Sequence, residues 1–212
     1  MKLKLLAVIA VLAMTLSTAW AADPNSALQP PAGHRMALIV FEDLQCPACA
    51  KADPLLVQAV HDYGLPLVRH DFIIPNHRWS KEAHIMARYF DKVNPQLGEE
   101  FRQFIFANQT QIYPTNLRQW ADRFAASHHT ALPAFYDPDG SLRAKVEADT
   151  VLGRNLNLHL TPTIWVVTNS PQVPPVEVTE QSKLFETIER VKSQLPAQKA
   201  APARAAKGKS TR

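Results

Sequence analysis

Cysteine and glycine are scarce in this chain, which has two cysteines and six glycines among its 212 residues. Two cysteines are too few for the structural disulfide frameworks of exported proteins, because those frameworks use more cysteines at wider spacing. The sequence also has no glycine-rich phosphate-binding loop and no internal repeat. The two cysteines stand close together, as Cys46 and Cys49. Their spacing favours a reactive dithiol, with a chemically inert local disulfide as the alternative.

Acidic residues are absent from the C-terminal segment 196–212, which carries five lysines and arginines. Two more lysines lie at the extreme N-terminus, so the net charge of +4 leaves the body of the chain mildly acidic. The basic isoelectric point is therefore no sign of nucleic-acid binding, and we expect no nucleic-acid partner. A segment rich in alanine, proline and lysine cannot form a core, so residues 196–212 are predicted to be a disordered basic tail. It would serve as a solubilising extension or, alternatively, contact an anionic membrane surface.

The N-terminus has the pattern of a secretory signal peptide. Lys2 and Lys4 precede an apolar run over residues 5–16, and an Ala-x-Ala cleavage site ends at Ala21. Residues 1–21 are therefore predicted to be removed, which would place the mature protein in a bacterial periplasm. An uncleaved membrane anchor is the alternative, although the run is shorter than the ~20 residues of a spanning helix. The proline-rich residues 22–35 that follow are predicted to be a flexible lead-in.

The cysteines follow an apolar run of strand type and a short polar turn, to which Glu42 and Asp43 are assigned. A helix is predicted to begin at Cys46, because Pro47 suits the first helical turn. Unpaired backbone N–H groups and the positive end of the helix dipole would favour the thiolate of Cys46 there. Cys46 is therefore the predicted nucleophile. Cys49, one turn along and more deeply buried, would resolve the mixed disulfides that form at Cys46.

Two segments of the chain carry a family resemblance. Phe-Glu-Asp-Leu-Gln-Cys-Pro-Ala-Cys, ending at Cys49, resembles the active-site motif of the thioredoxin superfamily and, within it, of the DsbA-like periplasmic thiol-disulfide oxidoreductases. Leu-Thr-Pro-Thr-Ile-Trp-Val, beginning at Leu160, resembles the proline segment that follows downstream in that family. The resemblance covers about residues 36–195. It implies an α/β, thioredoxin-like fold with an inserted helical subdomain at about residues 79–157.

The pattern of apolar residues predicts elements that suit this fold. Strands are predicted at 36–41, 65–74, 160–168 and 176–178, and helices at 46–64 and 182–195. Four more helices are predicted between the second and third strands: one capped by Ser80, one around Phe101, one capped by Thr115 or Asn116, and one over residues 141–156. The buried stripes of the first three have the spacing of a small bundle that packs its aromatic side chains together. Pro54 lies inside the first helix of the chain and is predicted to kink it.

The resemblance implies a role for Thr161 and Pro162. In thioredoxin-like proteins the matching proline is cis and lies against the dithiol, and the backbone before it pairs with a bound peptide. Thr161 would add a hydroxyl facing the active site. The alternative is an ordinary trans proline at the start of a strand.

The resemblance also implies an acid beneath the dithiol, and Asp53 matches it in position. A buried carboxylate there could take or relay the proton of Cys49 during exchange. An exposed acid on the helix surface is the alternative. Arg69 or His70 on the second strand is the predicted partner of the acid.

Together these features predict a periplasmic protein-disulfide oxidoreductase that exchanges disulfides with exported, cysteine-containing proteins and is recycled by a membrane redox partner. Oxidation is the favoured direction, with no cofactor and no metal. Ala48 stands where the best-known oxidant of this type has a histidine, so a weaker oxidant is expected. The alternatives are a reductase or isomerase of the same fold, or a non-catalytic copper or zinc carrier that uses both cysteines and a histidine. The lead-in is too short for a dimerisation domain, so a monomer is expected.

Overall fold

The computed structural model describes residues 24–196. The predicted signal peptide (1–21) and nearly all of the predicted basic tail (196–212) lie outside the described residues. Among residues 24–196, none of the helices is long and apolar enough to cross a membrane.

The described chain alternates strands and helices and carries a run of four helices in its middle. The elements are β1 (Met36–Glu42), α1 (Pro47–Tyr63), β2 (Leu67–Asp71), α2 (Ser80–Val93), α3 (Pro95–Asn108), α4 (Leu117–Ser127), α5 (Ser141–Asn155), β3 (Thr163–Thr168), β4 (Val176–Glu177) and α6 (Leu184–Gln194). Short 3-10 turns cover Pro24–Leu28, Gln109–Gln111 and Gln181–Lys183. Helices α2 to α5 form an insertion between β2 and β3. The predicted α/β fold with an inserted helical subdomain is confirmed.

A four-stranded sheet with the order β2-β1-β3-β4 forms the centre of the fold. The strand β1 pairs parallel with β2 and antiparallel with β3, and β3 pairs antiparallel with β4. Every residue of β1 is buried, which explains its unbroken apolar sequence, because helices or loops cover both faces of the strand. Met36, Leu38 and Val40 face α1 and α6, while Ala37 and Ile39 belong to the core on the other face.

The insertion has an aromatic core of its own, and this core extends to the dithiol. Phe90, Phe101 and Phe124 come from three different helices, and their ring centroids lie 4.7 to 5.1 Å apart. The predicted bundle of aromatic side chains is therefore present. Both Cys46 and Cys49 pack in the same apolar cluster. The dithiol thus lies at the junction between the sheet and the insertion.

Three local predictions were wrong. Glu42 is not a loop residue but the last residue of β1, where its side chain is buried. Ser80 does not cap α2; it is the first residue of that helix, and Trp79 holds the cap position. The ladder of β2 is shorter than residues 65–74, because only Leu67–Asp71 pair with β1 before the chain turns away.

Candidate active site

Cys46 is the residue directly before α1, and Cys49 lies one helical turn inside it. The backbone of Cys46 is extended, Pro47 opens the helix, and the N–H groups of Cys49 and Ala50 donate to the carbonyl oxygen of Cys46 at 3.1 and 3.2 Å. Both cysteines are free thiols. Cys46 is 8% exposed and Cys49 is 2% exposed, so Cys46 is the sulfur that a partner reaches first.

The surroundings of Cys46 favour its ionised form. A hydrogen bond from the Cys49 thiol contributes most, burial acts in the opposite direction, and Thr161 and the backbone N–H groups of Cys49 and Ala48 add further stabilisation. Together they lower the pKa of Cys46 to about 5. Reduced Cys46 is therefore a thiolate at neutral pH, the form that attacks disulfides.

The surroundings of Cys49 have the opposite effect. Burial raises the pKa of Cys49 far above its ordinary value, and the hydrogen bond and charge of Cys46 raise it further. The backbone N–H of Asp43 lies 3.4 Å from the Cys49 sulfur and partly offsets this effect. Cys49 thus keeps its proton while Cys46 is ionised, so the two sulfurs are chemically unequal.

Thr161 lies against the nucleophile from the sheet side. The sulfur of Cys46 and the carbonyl oxygen of Thr161 are 3.4 Å apart, although the two residues are separated by 115 positions in the chain. The peptide bond between Thr161 and Pro162 is cis. The buried hydroxyl oxygen of Thr161 has no hydrogen-bond partner among the described residues. The hydroxyl is thus not committed to another group, and the Thr161 side chain contributes to the lowered pKa of Cys46, so the thiolate is the acceptor that we assign to it.

A cluster of charged side chains lies under α1, centred on Arg69. Its guanidinium donates to Glu42 at 2.6 Å, to Asp53 at 2.7 Å and to Glu99 at 2.8 Å. Burial raises the pKa of Glu42 and of Asp53, and Arg69 only partly reverses this effect. Burial also acts on Glu99, but Arg69 lowers its pKa overall. One guanidinium thus faces three carboxylates, an arrangement that favours a retained proton on one of them.

This cluster bears on two sequence predictions, the burial of Asp53 and the identity of its partner. Asp53 is buried rather than exposed, with 5% of its surface accessible, and its partner is Arg69. His70 instead contacts Asp149 at 3.0 Å. The carboxylate whose charge acts on Cys49 is Glu42. The sequence pattern could have predicted that the Glu42 side chain points toward α1. Glu42 continues the alternation of Leu38 and Val40, which face α1.

Sequence reasoning missed a buried histidine that fixes the loop before the dithiol. The backbone N–H of Leu44 donates to Nε2 of His84 at 3.0 Å, and Nδ1 of His84 lies 2.7 Å from Asp71. Nε2 accepts this hydrogen bond and so carries no hydrogen. Nδ1 is therefore the protonated nitrogen, and it donates a hydrogen bond to Asp71. Burial acts to raise the pKa of Asp71, but His84 and Arg88 together hold it well below its usual range. His84 thereby links the insertion to the active-site loop.

Two glutamines hold the backbone of the motif from opposite sides. The amide of Gln109, at the end of α3, donates to the carbonyl oxygens of Leu44 at 2.9 Å and Cys46 at 3.1 Å. The amide of Gln181, ahead of α6, donates to the carbonyl oxygen of Ala48 at 3.1 Å. Neither was predicted, because each joins the motif across more than 60 positions of the sequence.

The carrier hypothesis requires a third ligand near the sulfurs. Within the part of the chain that the structure describes, no group of three or more histidine, cysteine, aspartate or glutamate side chains is arranged to hold a metal ion. Among residues 24–196, the two sulfurs therefore have no third ligand of these types arranged beside them.

Comparisons with known proteins agree with this geometry. Residues 33–189 match the family model described as Thioredoxin. No curated protein matches the sequence. Among solved structures, alpha-DsbA1 of Wolbachia pipientis superposes with a TM-score of 0.66 at 18% identity, covering 81% of this chain and 96% of that one. BdbD of Bacillus subtilis gives 0.63 at 16% identity, covering 80% and 93%. A periplasmic thioredoxin-like protein from Salmonella enterica serovar Typhimurium gives 0.61 at 16% identity, covering 82% and 93%. These similarities show a common fold.

Proposed function

The chain belongs to the thioredoxin family, and on that premise we propose that it is an exported, DsbA-like thiol-disulfide oxidoreductase that passes disulfides to other exported proteins. The observation that carries the proposal is the inequality of the two sulfurs. Cys46 is the more exposed and has a pKa of about 5, whereas Cys49 is buried behind it and keeps its proton. Disulfide exchange needs one sulfur that attacks or is attacked and a second that closes the ring.

In the oxidising direction the protein begins with a Cys46–Cys49 disulfide. A substrate thiolate attacks the sulfur of Cys46, the bond to Cys49 breaks, and Cys49 leaves as a thiolate that takes up a proton. The substrate is then joined to Cys46 by a mixed disulfide. A second substrate thiolate attacks the substrate sulfur of that bond, Cys46 leaves as a thiolate, and the substrate departs with a new disulfide. The dithiol gains the two electrons that the substrate loses.

The proton of Cys49 needs a nearby acceptor and donor. We propose Glu42 for this role, because its side chain is buried, one of its oxygens has no partner among the described residues, and its charge acts on Cys49. Burial raises the pKa of Glu42 toward neutral pH, where a group can both take up and release a proton. Asp53, the acid that the sequence suggested, shares Arg69 with Glu42 and would tune the pKa of Glu42 through that contact.

Oxidation is the direction that the site supports best. A stabilised Cys46 thiolate lowers the free energy of the reduced protein, so the disulfide form is a stronger oxidant. Ala48 contributes only its backbone N–H to this stabilisation, which supports the expectation of an oxidant weaker than relatives with a histidine there. A membrane redox partner would then reoxidise the dithiol. Export is proposed from the sequence of residues 1–21 and from the periplasmic origin of the Salmonella protein with the same fold.

The decisive experiment is the reduction potential of the Cys46–Cys49 pair in a series of glutathione buffers. We expect a value between about −120 mV, typical of a strong oxidant, and about −200 mV. A value near −270 mV would identify a reductant instead. If reduced protein failed to react with a small aromatic disulfide at pH 7, and its Cys46→Ser variant behaved identically, the proposal of disulfide exchange would be wrong.

A further inference from the structure

A depression of about 400 Å³ opens beside the dithiol, on the side of the insertion. Gln45 and Pro47, the two chain neighbours of the nucleophile, line it together with Trp79, Ile112 and Tyr113. The volume falls within the roughly 300–1,000 Å³ of ordinary ligand pockets. Tyr113 is 59% exposed and lines the same depression as the two chain neighbours of Cys46. Thr161, just before β3, contacts the Cys46 sulfur, whereas the residues that line the depression come from the start of α1 and from the insertion.

The walls of the depression are tied to the backbone that carries the nucleophile. Gln109 lines the depression and donates to the carbonyl oxygen of Cys46 at 3.1 Å. The backbone N–H of Trp79 donates to the side-chain oxygen of Gln45 at 2.9 Å. These hydrogen bonds fix the distance between the depression and the sulfur, so a group bound in the depression would be held at a defined position relative to Cys46.

The depression carries a positive charge. Arg78 is the one charged residue among those that line it, and its side chain is exposed. Within residues 24–196, no carboxylate forms an ion pair with Arg78. A partner with an acidic group would therefore find an uncompensated cation at the rim. The basic segment 196–212 of the chain itself has the wrong charge for this position.

We propose, as an extension of the proposed disulfide exchange, that this depression binds the segment of a protein substrate that flanks its reacting cysteine. It takes a large apolar or aromatic side chain within two residues of that cysteine, with an acidic residue beside it. The apolar walls and the Tyr113 ring suit an aromatic side chain, and Arg78 suits the carboxylate. Thr161 pairs with the substrate backbone on one side of the sulfur, and the depression selects a side chain on the other.

The test measures the first step of exchange with peptides of known sequence. Each octapeptide contains one cysteine, supplied as its mixed disulfide with glutathione, and reacts with the reduced protein that carries Cys49→Ser. The Cys46 thiolate attacks the peptide sulfur, a Cys46–peptide disulfide forms, and glutathione leaves as a thiolate that takes up a proton. Mass spectrometry follows the peptide adduct with time. Peptides with Phe and Glu beside the cysteine should react about tenfold faster than peptides with Ala and Lys there, the ratio expected when part of an aromatic side chain is buried.

Matched variants assign the selectivity to the depression. Tyr113→Ala should remove the preference for Phe, and Arg78→Glu should invert the preference for Glu over Lys. Phe135→Ala and Arg190→Glu are the controls, because Phe135 is 85% exposed in a separate depression and Arg190 is exposed on α6. Both controls should keep the selectivity of the parent protein. Both controls should also react with a small disulfide at the parent rate, and each variant is compared through its own ratio of peptide rates.

Two outcomes would overturn the inference while leaving the proposed function intact. One is a parent protein that reacts with small disulfides yet treats all peptides alike. The other is a concentration-dependent dimer, seen by sedimentation, that Tyr113→Ala dissociates; the depression would then be occupied by a second copy of the chain. Failure of the proposed function is recognised separately, because the parent protein would then be inert toward small disulfides as well as peptides.

Discussion

The sheet side and the insertion side of the dithiol contribute different things. From the sheet come the groups that act on the sulfurs: Thr161 against Cys46, and Glu42, at the end of β1, acting on Cys49. From the insertion come groups that hold the backbone around them: His84 on the loop and Gln109 on the carbonyl of Cys46. The comparison teaches that reactivity and position are set by separate elements. Substitutions of Thr161 or Glu42 should therefore change the pKa of a sulfur, whereas substitutions of His84 or Gln109 should change stability or substrate choice and leave that pKa in place.

The largest expected effect is the loss of exchange when the nucleophile is removed. Cys46→Ser should abolish turnover of disulfide substrates, because the serine hydroxyl is not ionised at neutral pH. Cys49→Ser should keep the first step and accumulate the mixed disulfide with the substrate. Non-reducing gel electrophoresis with a disulfide-containing protein substrate measures both, because the Cys46 thiolate attacks that disulfide and one substrate sulfur leaves as a thiolate. Equal accumulation of adduct by the two variants would show that the sulfurs are equivalent, contrary to the structure.

Removing the cation of the buried cluster should have the largest effect on stability. Arg69→Leu leaves the buried Glu42 and Asp53, and the half-buried Glu99, without the guanidinium that contacts all three. The free energy of unfolding should fall by roughly 3–5 kcal/mol, the usual cost of an uncompensated buried charge. Urea denaturation of the reduced protein at pH 7 measures it.

The pH dependence of this variant gives an independent check. As the pH falls from 7 into the ordinary carboxylate range near 4, the three acids take up protons and the deficit of Arg69→Leu should shrink. Arg190→Leu, at an exposed position on α6, is the control and should change stability little. A deficit that is the same at pH 4 and pH 7 would mean that lost packing, not charge, is its cause.

The next effect tests the insertion side alone. His84→Phe removes the acceptor for the Leu44 N–H and the donor to Asp71, two partners buried with it. Unsatisfied buried groups cost about 1–3 kcal/mol, so the midpoint of urea denaturation should fall. The pH at which Cys46 ionises should hardly move. Thiolate absorbance near 240 nm measures that ionisation, and a large shift would contradict the separation of reactivity from position.

The sequence predicted the reactive residues of this site better than the residues that hold the surrounding backbone in place. Cys46, Cys49 and the Thr161–Pro162 pair lie together in the structure, and a strand, a helix start and a recognisable motif indicated each of them. Arg69 was predicted as a possible partner of Asp53, because it lies on the second strand of the βαβ unit. The order of helices and strands could also be predicted, since apolar residues recur with a different period in helices and in strands.

The missed residues share a physical reason. His84, Gln109 and Gln181 act through hydrogen bonds to residues that lie 40 to 133 positions away. No local pattern marks such a residue, because its role depends on how the insertion packs against the loop. Glu42 was assigned to the turn because the apolar run ends at Phe41, and because a carboxylate close to Cys46 would oppose the thiolate. Here Arg69 compensates its burial, so the strand continues through it.

The smallest and sharpest prediction concerns the Thr161 hydroxyl. The pKa of Cys46 is about 5, whereas the ordinary thiol value is 9.0. The ionised sulfur therefore stabilises the reduced protein fully above pH 9, and this stabilisation decreases as the pH falls and is lost below about 5. Alkylation of Cys46 requires the thiolate, so its rate should rise with pH in a single titration with a midpoint near pH 5. Thr161→Val keeps the shape of the side chain but removes a donor to the thiolate, and it should raise the midpoint by about one pH unit. Thr168→Val removes a buried hydroxyl at the far end of β3 and is the control. An unchanged midpoint in Thr161→Val would mean that the helix start and the Cys49 thiol hold the charge by themselves, and the sheet side would then act on Cys46 through its backbone alone.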